Sequence, residues 1–530
     1  MVNQKVLVAD AISPRGVEAL RLGGRLDVDV QTGLKEPQLI QVISSYAAIV
    51  VRSQTKVTAP VISAAKSLKA IGRAGVGVDN VDVEAATRRG IIVMNTPAGN
   101  TVSTAEHAFS LLVSIARSIP QADASVKAGR WDRKSFEGVE LSGKTLGILG
   151  MGRIGSEIAR RAIAFGMLPI AYDPYLSPTR ARSLQVELLD NLNEVLARAD
   201  FVTLHLPMTP ETRSVLNRER LALMKKGARV INCARGGLID EEALYDALTS
   251  GQIAAAALDV FETEPPPADL PLLRLPNVVC TPHLGASTIE AQESVGIEIA
   301  EAIRSVLLDG VIRNAVNVPN IDAKTLAVIR PYLDLAERLG RLLRQLAPKR
   351  CDQFHINYSG KVNEVETSPV SRYALKGFLE EAGGPDVNQV NVTSLAQNLG
   401  LRVIETKENV TGEFTDLIEM QVEGEGKKVS VAGTFVGASP RIVRINGRFV
   451  EARPVGTLMI FENNDVPGIV GQIGTLLGNH QINIADMSLS RGDGDSKALT
   501  VLNLDSLPPD EVLQAALQNP NVRSVHIVQF

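Results

Sequence analysis

The sequence predicts an α/β protein with two doubly wound parallel-sheet domains, followed by an α+β block and a ferredoxin-like domain. The first observation comes from residues 141–285, where six short apolar runs alternate with amphipathic segments and most are closely followed by Gly or Pro. Short apolar runs with helical crossovers are typical of a parallel sheet covered on both faces. The second is that residues 1–100 show a shorter version of the same alternation. The third is that residues 456–530 follow the order β-α-β-β-α-β, which is ferredoxin-like.

The composition excludes several classes of function. A chain of 530 residues has room for about three to four domains, and its net charge of −4 provides no basic field for nucleic acid. The three cysteines are far apart and no two histidines have helical spacing, so neither a disulfide framework nor a metal site is expected. We find no signal peptide, transit peptide or membrane-length apolar run, which predicts a cytoplasmic protein.

The elements of the first 320 residues follow from apolar runs and helix-end signals. The predicted strands are Lys5–Asp10, Ala47–Val51, Ala70–Arg73 and Ile91–Met94, and then six that end near Leu149, Tyr172, Leu206, Cys233, Val260 and Thr281. A helix over Asn100–Arg117 is predicted to connect the two domains, because Ser103 and Glu106 form a capping box and Pro120 follows the helix end. A further amphipathic helix is predicted over Ala291–Leu308.

The pattern changes after Pro319. Residues 320–452 are predicted to form one long helix, Ala323–Leu346, followed by alternating strands with Gly-containing turns. The final block is predicted to contain the strand TLMIFEN, the helix IVGQIGTLLGNH, the strands INIADMSLSR and ALTVLNL, the helix PDEVLQAALQ and the strand VRSVHIVQF. Helices on one face of so small a sheet would leave its other face and its edges open, so this block is expected to pair with a second copy.

A glycine motif gives the strongest ligand-binding signal. Residues 150–155 read G-x-G-x-x-G between a predicted strand and a helix, and Asp173 closes the next strand about 20 residues further on. The glycines allow a tight turn, and the helix N-terminus offers free amides to a pyrophosphate. Asp173 would accept hydrogen bonds from ribose hydroxyls and repel a 2′-phosphate, which predicts NAD rather than NADP. The alternative is a glycine-rich turn without a ligand.

A second glycine segment, Gly72–Gly77, reads G-x-x-G-x-G and does not open a helix at once. Its amides could hold an anionic group of a substrate, or the segment is a plain tight turn, and the sequence leaves both interpretations open.

Five polar residues follow strands of the second domain: Asp173, His205, Arg235, Asp259 and His283. Ligands bind at the carboxyl ends of strands in open parallel sheets. One polar residue after a strand is usually a helix cap or a turn, but five at one sheet edge indicate a site.

Three residues are the candidates for chemistry. Arg235 stands beside two glycines and suits bidentate binding of a carboxylate, with a surface ion pair as the alternative. His283 titrates near neutrality and is the acid–base candidate, unless it is a hydrogen-bonded core histidine. Glu264 precedes three prolines and is expected to orient the ring of His283, or else it is a solvated loop acid.

Longer segments resemble a known family. Residues 1–316 are similar to the D-isomer-specific 2-hydroxyacid dehydrogenases in GILGMGRIG, NCARGGLID, ALDVFETEPP and TPHLGAST. VRSQTKVT, IGRAGVGVDNVD and MNTPAGNTVSTAEH narrow the resemblance to members that oxidise a phosphorylated 2-hydroxy acid. The last block resembles an ACT domain, with NNDVPG followed by Asn483, and the block before it resembles the extra domain of long members of the family.

The resemblance implies a role for each matching residue. Arg235 binds the substrate carboxylate and 2-oxygen, His283 takes the hydroxyl proton, and Glu264 supports His283. The residues expected to contact NAD are Gly150, Gly152, Arg153, Ile154, Gly155, Asp173, His205, Pro207, Cys233, Ala234, Asp259, Gly285 and Ala286. The residues expected to hold the rest of the substrate are Arg52, Gly75, Val76, Asn100 and Arg133. Arg133, or Lys134 in its place, lies on a segment that is expected to reach the active site of a neighbouring subunit. The residues expected to bind the effector are Asn463, Asp465 and Asn483.

The resemblance also implies an architecture and an activity. The expected domains are a discontinuous substrate-binding domain (1–97 and 288–316), an NAD-binding Rossmann domain (98–287), an intervening domain (317–452) and an ACT regulatory domain (456–530). The expected reaction is the NAD-dependent oxidation of 3-phospho-D-glycerate to 3-phosphohydroxypyruvate, the first step of L-serine synthesis, in a homodimer or homotetramer with L-serine as effector. Two rivals stay open: a glyoxylate or hydroxypyruvate reductase, and a dinucleotide-sensing corepressor built on the same scaffold. No nucleic acid, membrane or metal is expected as a partner.

Overall fold

The computed structural model of the protein describes residues 3–384, 386–408, 413–491 and 497–530. Within these ranges the chain forms four sheets in succession: a five-stranded parallel, a seven-stranded parallel, a six-stranded mixed and a four-stranded antiparallel sheet. The predicted α/β class with a ferredoxin-like end is confirmed. Among the helices so described, none combines the length and the apolar character that a membrane span requires.

The first sheet contains the strands β1 (Gln4–Val8), β2 (Leu26–Val30), β3 (Ala48–Val51), β4 (Ala70–Arg73) and β5 (Ile92–Met94), with the helices α1 (Pro14–Arg21), α2 (Glu36–Val42), α3 (Ala59–Ala64) and α4 (Val83–Arg88). The strand order is β2-β1-β3-β4-β5. The sequence analysis missed β2, because this edge strand alternates apolar and acidic residues instead of forming an apolar run. The order reverses between β1 and β3, so their carboxyl ends flank a crevice.

The second sheet begins after two helices, α5 (Thr101–Ala116) and α6 (Ile119–Lys127). It contains β6 (Thr145–Leu149), β7 (Leu168–Tyr172), β8 (Glu187–Leu188), β9 (Phe201–Leu204), β10 (Ala228–Asn232), β11 (Ile253–Leu258) and β12 (Val278–Cys280), with α7 (Arg153–Ala164), α8 (Pro178–Ser183), α9 (Leu192–Arg198), α10 (Arg218–Leu223) and α11 (Glu241–Thr249). The order is β12-β11-β10-β9-β6-β7-β8, with its reversal between β6 and β9. Six of these strands are predicted; β8, with only two residues, is not.

The capping box predicted for α5 is wrong. The N-cap residue is Asn100, and Ser103 lies inside the first turn, where its hydroxyl donates to the carbonyl of Gly285 at 2.7 Å. Pro120 does not end this helix but stands in the first turn of α6, where a missing amide hydrogen costs nothing.

The chain then returns to the first sheet through α12 (Ile289–Arg304), which packs against α1 and β4. The predicted extension to Leu308 is confirmed, because residues 305–309 continue the helix as a wider π-helical turn that ends at Gly310 with a φ of 70°.

The third sheet belongs to a block with two packed helices. Its elements are α13 (Ala323–Leu346), β13 (Gln353–Gly360), α14 (Ser368–Gly383), α15 (Val392–Asn398), β14 (Arg402–Glu408), β15 (Asp416–Gly424), β16 (Lys427–Val436), β17 (Ser439–Ile445) and β18 (Arg448–Ala452). The order is β14-β13-β15-β16-β17-β18. α13 is confirmed, but the prediction of strands alone after it is wrong, because α14 and α15 intervene. α14 contains Gly377, which a sequence pattern counts against a helix.

The last sheet contains β19 (Thr457–Asn464), β20 (Ile484–Arg491), β21 (Lys497–Leu504) and β22 (Val522–Gln529), in the order β20-β21-β19-β22, with α16 (Ile469–Asn479) and α17 (Asp510–Leu517). The helices cover the face that includes Met459 and Leu502. The opposite face does not stay open as expected: Ile460 and Val501 pack in one core with Leu339 of α13. The intervening block of the same chain therefore covers it.

Candidate active site

The candidate site lies where the carboxyl ends of the two parallel sheets meet. Asp79, on the loop after β4, and Arg235, after β10, form an ion pair with Oδ2 and Nε 3.3 Å apart. Asn100, where the chain crosses from the first sheet to the second, is the N-cap residue of α5. The ligand-binding edges of both sheets therefore border one cleft.

His283 and Glu264 form a hydrogen-bonded pair in this cleft. Nδ1 of His283 lies 2.7 Å from Oε2 of Glu264, and the other carboxylate oxygen accepts the amide of Phe261 at 3.1 Å. The carboxylate favours a proton on Nδ1, which leaves the lone pair of Nε2 free to accept a proton. The imidazole is half exposed, so it is not a core histidine. A cavity of about 410 Å³ adjoins the pair.

The guanidinium groups of Arg52, Arg73 and Arg235 lie near one another where the two sheets border the cleft. Nη1 of Arg235 donates to the carbonyl of Ala234 at 2.7 Å. Burial, reinforced by the neighbouring Arg235, lowers the pKa of Arg73 to about 10, and burial also lowers the pKa of Arg52. The Nε atoms of Arg52 and Arg73 are buried without a hydrogen-bond partner. Buried donors of this kind are normally satisfied, so the cluster is suited to an anion with several oxygens.

Arg73 is a site residue that the sequence analysis missed. It stands inside the Gly72–Gly77 segment, where the sequence points only to the backbone amides as possible ligand contacts. Gly75 has a φ of 149°, and its carbonyl accepts the amide of Thr96 at 3.0 Å. The cation inside the glycine segment was the available signal, but its approach to Arg52 and Arg235 depends on the tertiary structure.

The other predicted substrate residues divide into two groups. Arg52, Gly75, Val76 and Asn100 lie on the loops and the helix start that border the cleft, and Oδ1 of Asn100 is buried without a partner. Arg133 lies on an exposed segment before a 3₁₀ turn at residues 134–136. No contact among the described residues connects it to the cleft of its own chain, so its role in a neighbouring subunit stays a prediction.

The glycine turn between β6 and α7 fits a dinucleotide pyrophosphate. A Cβ atom at Gly150 would lie 2.5 Å from the carbonyl oxygen of His205, and one at Gly155 would lie 2.1 Å from the carbonyl oxygen of Gly150. At Gly152, by contrast, no atom lies within 4 Å of the Cβ position. The turn is therefore tight on its inner side and open on the side where the first amides of α7 are free.

Asp173 closes β7 beside this turn. Its Oδ2 accepts the amide of Met151 and its Oδ1 accepts the amide of Tyr175, both at 2.8 Å. Arg153 and Ile154 occupy the first two positions of α7. A carboxylate fixed at this position suits ribose hydroxyls and disfavours a 2′-phosphate.

The remaining predicted cofactor contacts follow β9 to β12. Burial lowers the pKa of His205 to about 3, so its ring is neutral, and its Nδ1 is buried without a partner. Burial, and then the charge of Asp259, raise the pKa of Cys233 well above its ordinary value, so the thiol stays protonated. Further backbone groups along the carboxyl edge of the second sheet come from Pro207, Ala234, Gly285 and Ala286.

The predicted effector residues occupy opposite ends of the last sheet. Asn463 pairs with Ala498 at one end of β21, whereas Asn483 precedes Ile484, which pairs with Leu504 at the other end. Asp465 follows Asn463 and forms an ion pair with Arg491, with Oδ2 and Nε 3.2 Å apart.

Asn483 donates to Asp505 at 2.8 Å, and Oδ1 of the buried Asn463 lacks a partner. One chain by itself therefore does not bring Asp465 and Asn483 together.

Family models match three successive parts of the chain. Residues 109–285 match "D-isomer specific 2-hydroxyacid dehydrogenase, NAD binding domain", residues 328–446 match "D-3-phosphoglycerate dehydrogenase intervening domain", and residues 457–521 match "ACT domain". The D-3-phosphoglycerate dehydrogenase of Methanocaldococcus jannaschii is 45% identical over 526 residues, with 99% of this chain and 100% of that protein covered. The chain belongs to the D-3-phosphoglycerate dehydrogenase family.

Other members of the D-3-phosphoglycerate dehydrogenase family match over a similar length. That of Bacillus subtilis is 40% identical over 527 residues, with 99% of both chains covered. Among solved structures, the TT0316 protein from Thermus thermophilus is 39% identical with a TM-score of 0.55, and covers 59% of this chain and 100% of its own. The D-lactate dehydrogenase from Aquifex aeolicus, complexed with NAD and lactic acid, is 29% identical with a TM-score of 0.53 and the same coverage. The predictions of an NAD-binding oxidoreductase and of an ACT domain are confirmed.

Proposed function

We propose that this protein catalyses the NAD-dependent oxidation of 3-phospho-D-glycerate to 3-phosphohydroxypyruvate, the first step of L-serine synthesis. The observation that carries the proposal is the His283–Glu264 pair in a cleft that also contains Arg52, Arg73 and Arg235. A proton acceptor and three cations at the sheet edges that border one cleft match a hydroxy acid that carries both a carboxylate and a phosphate. The names of the full-length relatives support the same reaction.

The arginine cluster accounts for the substrate's two anionic groups. Arg235 follows a strand of the second sheet and suits the carboxylate and the 2-oxygen, because a guanidinium binds two oxygens in one plane. Arg52 follows β3 and Arg73 is the last residue of β4, and their unpartnered Nε atoms suit the phosphate. An uncharged or smaller 2-hydroxy acid would leave these buried donors unsatisfied.

The proton transfer uses the free nitrogen of His283. Glu264 holds Nδ1–H, so Nε2 accepts the proton of the C2 hydroxyl as the C2–H bond breaks and the C2–O bond becomes a carbonyl. Arg235 keeps the 2-oxygen in place and stabilises its developing negative charge. NAD supplies the hydride acceptor when it is bound. The residues that would hold it are those of the Gly150–Gly155 turn and Asp173, and the tight and open sides of that turn fit the group.

The test measures NADH oxidation by the purified protein with phosphohydroxypyruvate, hydroxypyruvate and glyoxylate. We expect the highest kcat/KM with phosphohydroxypyruvate. A preference for glyoxylate or hydroxypyruvate would identify a reductase of the same family, and binding of NADH without turnover of any substrate would identify a dinucleotide sensor.

A matched pair of variants tests the phosphate site. Arg73→Gln is expected to raise KM for phosphohydroxypyruvate far more than for hydroxypyruvate, because the second substrate lacks the phosphate. Arg89→Gln is the control, since Arg89 is an exposed arginine just after α4. Equal effects of Arg73→Gln on both substrates would contradict the assignment.

We further propose that L-serine is the effector and that the protein acts as a homodimer or homotetramer. Asp465 and Asn483 lie at opposite ends of their sheet, so a two-fold pairing along the edge strand β20 would bring Asp465 of one copy towards Asn483 of the other. β20 is an edge strand, and Met487 and Leu489 on it are partly exposed. Open edge strands of this kind pair readily.

A further inference from the structure

The segment that carries His283 is fixed by one buried acid. The carbonyl of Asp259 accepts the amide of His283 at 2.9 Å. The carboxylate of Asp259 accepts the hydroxyl of Thr281 at 2.6 Å, the amide of Leu284 at 2.7 Å and the amide of Gly285 at 2.9 Å. Asp259 thus bonds to residues on both sides of His283. These bonds account for how a histidine keeps a left-handed φ of 56°, which costs free energy for any residue with a Cβ atom.

A further donor to Asp259 comes from α5. Nε2 of His107 lies 3.1 Å from Oδ1 of Asp259 and 3.2 Å from the hydroxyl of Thr281. Asp259 is only 1% exposed, so its negative charge depends on these donors for stabilisation. Burial alone would raise the pKa of Asp259, but the hydrogen bonds from His107 and Thr281 lower it below its ordinary value.

The first turns of α5 hold the same segment at a second point. The hydroxyls of Ser103 and Thr104 donate to the carbonyl of Gly285 at 2.7 and 3.1 Å. His107 lies one turn further along the same helix, which begins at Asn100 in the cleft. Three side chains on one face of α5 therefore form hydrogen bonds with the segment 281–285.

We infer that His107 is a positioning residue for His283 and acts through the carboxylate of Asp259. The inference rests on the proposed function, in which His283 takes the hydroxyl proton. His107 does not touch the reacting atoms; it supplies a side-chain donor to the acid that fixes the backbone on both sides of His283. Loss of that donor leaves residues 281–285 bound less firmly, and His283 then presents Nε2 to the substrate less accurately.

A cation site is the competing interpretation of these side chains. Ligand atoms of His107, Cys233 and Asp259 lie within 4.8 Å of one another. However, both oxygens of Asp259 already accept hydrogen bonds from the protein. A metal would have to displace these bonds, so the geometry favours a hydrogen-bonded support.

The experiment compares His107→Ala with His107→Gln, whose amide places a nitrogen donor near the position of Nε2. The control is Ser110→Ala on the exposed side of the same helix. For each variant we would measure kcat, KM, the affinity for NADH by fluorescence, and the primary isotope effect on kcat with C2-deuterated 3-phosphoglycerate. A catalytic group displaced by about 1 Å reduces the rate up to about 100-fold.

We expect His107→Ala to lower kcat about 10- to 100-fold and to raise the isotope effect, while KM and NADH affinity change little. His107→Gln should recover most of the loss, and Ser110→Ala should behave as wild type. In an Asp259→Asn background, a further His107→Ala change should cost little, because residues that act through one another are not additive.

Several results would overturn the inference. The first is an unchanged kcat and isotope effect in His107→Ala. The second is a loss of kcat that only follows the fraction of protein able to bind NADH. The third is full additivity of the kcat losses caused by His107→Ala and Asp259→Asn. Metal-dependent activity that chelation removes in wild type and not in His107→Ala would favour the cation site instead. Wild-type kcat in His283→Ala would contradict the proposed function itself, and this outcome is distinct from all of the others.

Discussion

The reacting side chains of the cleft are held by neighbours that perform no chemistry. Glu264 is fixed by the amide of Phe261 and in turn holds Nδ1 of His283. Arg235 is held by two neighbours: its Nη1 donates to the carbonyl of Ala234, and its Nε pairs with the carboxylate of Asp79. Catalytic groups must be placed to within about 0.5 Å, so the supporting bonds matter as much as the identity of the groups.

The residue that selects the cofactor is predicted to be Asp173. Asp173→Asn should relax the preference for NAD over NADP by about 1–3 kcal/mol, the scale of a hydrogen bond to a charged group. Asn retains an acceptor for the amide of Met151, so the turn should persist while the charge is lost. The ratio of kcat/KM with NAD to kcat/KM with NADP measures the effect. Asp173→Ala is the comparison, because it removes both the charge and the hydrogen-bond acceptor. Equal efficiency of the wild type with NAD and NADP would disprove the assignment.

The proton acceptor is predicted to be His283. His283→Ala should lower kcat by roughly 10²–10⁴-fold, with little change in NADH binding, because the ring lies away from the glycine turn. Arg235→Lys should also be damaging, since an ammonium cannot bind two oxygens in one plane. Steady-state kinetics measure the loss of kcat, and NADH fluorescence shows separately whether cofactor binding has changed. If the His283 variant kept wild-type kcat, the proton would have to leave by another route.

At the scale of elements, close contact between α13 and α14 stabilises the intervening block. A Cβ atom at Gly340 would lie 2.1 Å from the carbonyl oxygen of Ala374, and one at Gly377 would lie 2.0 Å from the carbonyl oxygen of Glu337. Two glycines thus allow the helix backbones to approach each other directly. Gly377 also weakens the helical pattern of α14, which escaped prediction, whereas α13 was predicted despite Gly340.

Gly340 and Gly474 make a matched pair for a test of this packing. Gly340→Ala should destabilise the protein by about 1–3 kcal/mol, the usual cost of overpacking. Gly474→Ala, in α16 with no atom within 4 Å of the Cβ position, should stabilise its helix by about 0.5–1 kcal/mol. Urea unfolding followed by circular dichroism compares the two midpoints. Shifts of the same sign in both variants would refute the packing argument.

At the scale of the whole molecule, the intervening block contacts both of its neighbours. It covers one face of the ACT sheet, and on the other side Asn388 donates to the carbonyl of Gly90 at 3.1 Å and Asn391 donates to the carbonyl of Arg88 at 3.4 Å. Arg88 and Gly90 lie at the base of β5 in the first sheet. The intervening block therefore connects the ACT domain to the first sheet at the amino end of β5, which is the sheet edge opposite to the cleft.

We predict that L-serine lowers activity and that this depends on Asp465 and Asn483. Binding that is tighter in one arrangement of domains shifts the population away from the closed, active cleft. Asp465→Ala or Asn483→Ala should abolish inhibition while uninhibited turnover stays nearly intact. Calorimetry and activity assays on the same samples provide the measurement. The prediction fails if serine does not bind the active wild-type protein, or if both variants are inhibited as before.

The sequence by itself determined the parallel sheets, the long helix α13 and the ferredoxin-like order of the last block. These features depend on local signals: apolar runs of strand length, a helical period, and turn residues between them. The glycine turn with Asp173, and the order in which Arg235, Glu264 and His283 follow their strands, are equally local. The topology of a parallel sheet then places residues after different strands at one edge, so the main site residues could be named in advance.

Only the tertiary structure decided which side chains support those residues. Ser103 reads as a helix cap in the sequence, but in the fold its hydroxyl bonds to Gly285, far along the chain. His107 carries no local signal of function, because its role depends on the buried carboxylate of Asp259. Arg73 stands in a glycine segment of the sequence, but its approach to the neighbouring cations depends on the tertiary structure. The covered face of the ACT sheet was missed for the same reason. Contacts between distant segments are set by packing geometry, and that geometry leaves no periodic trace in the sequence.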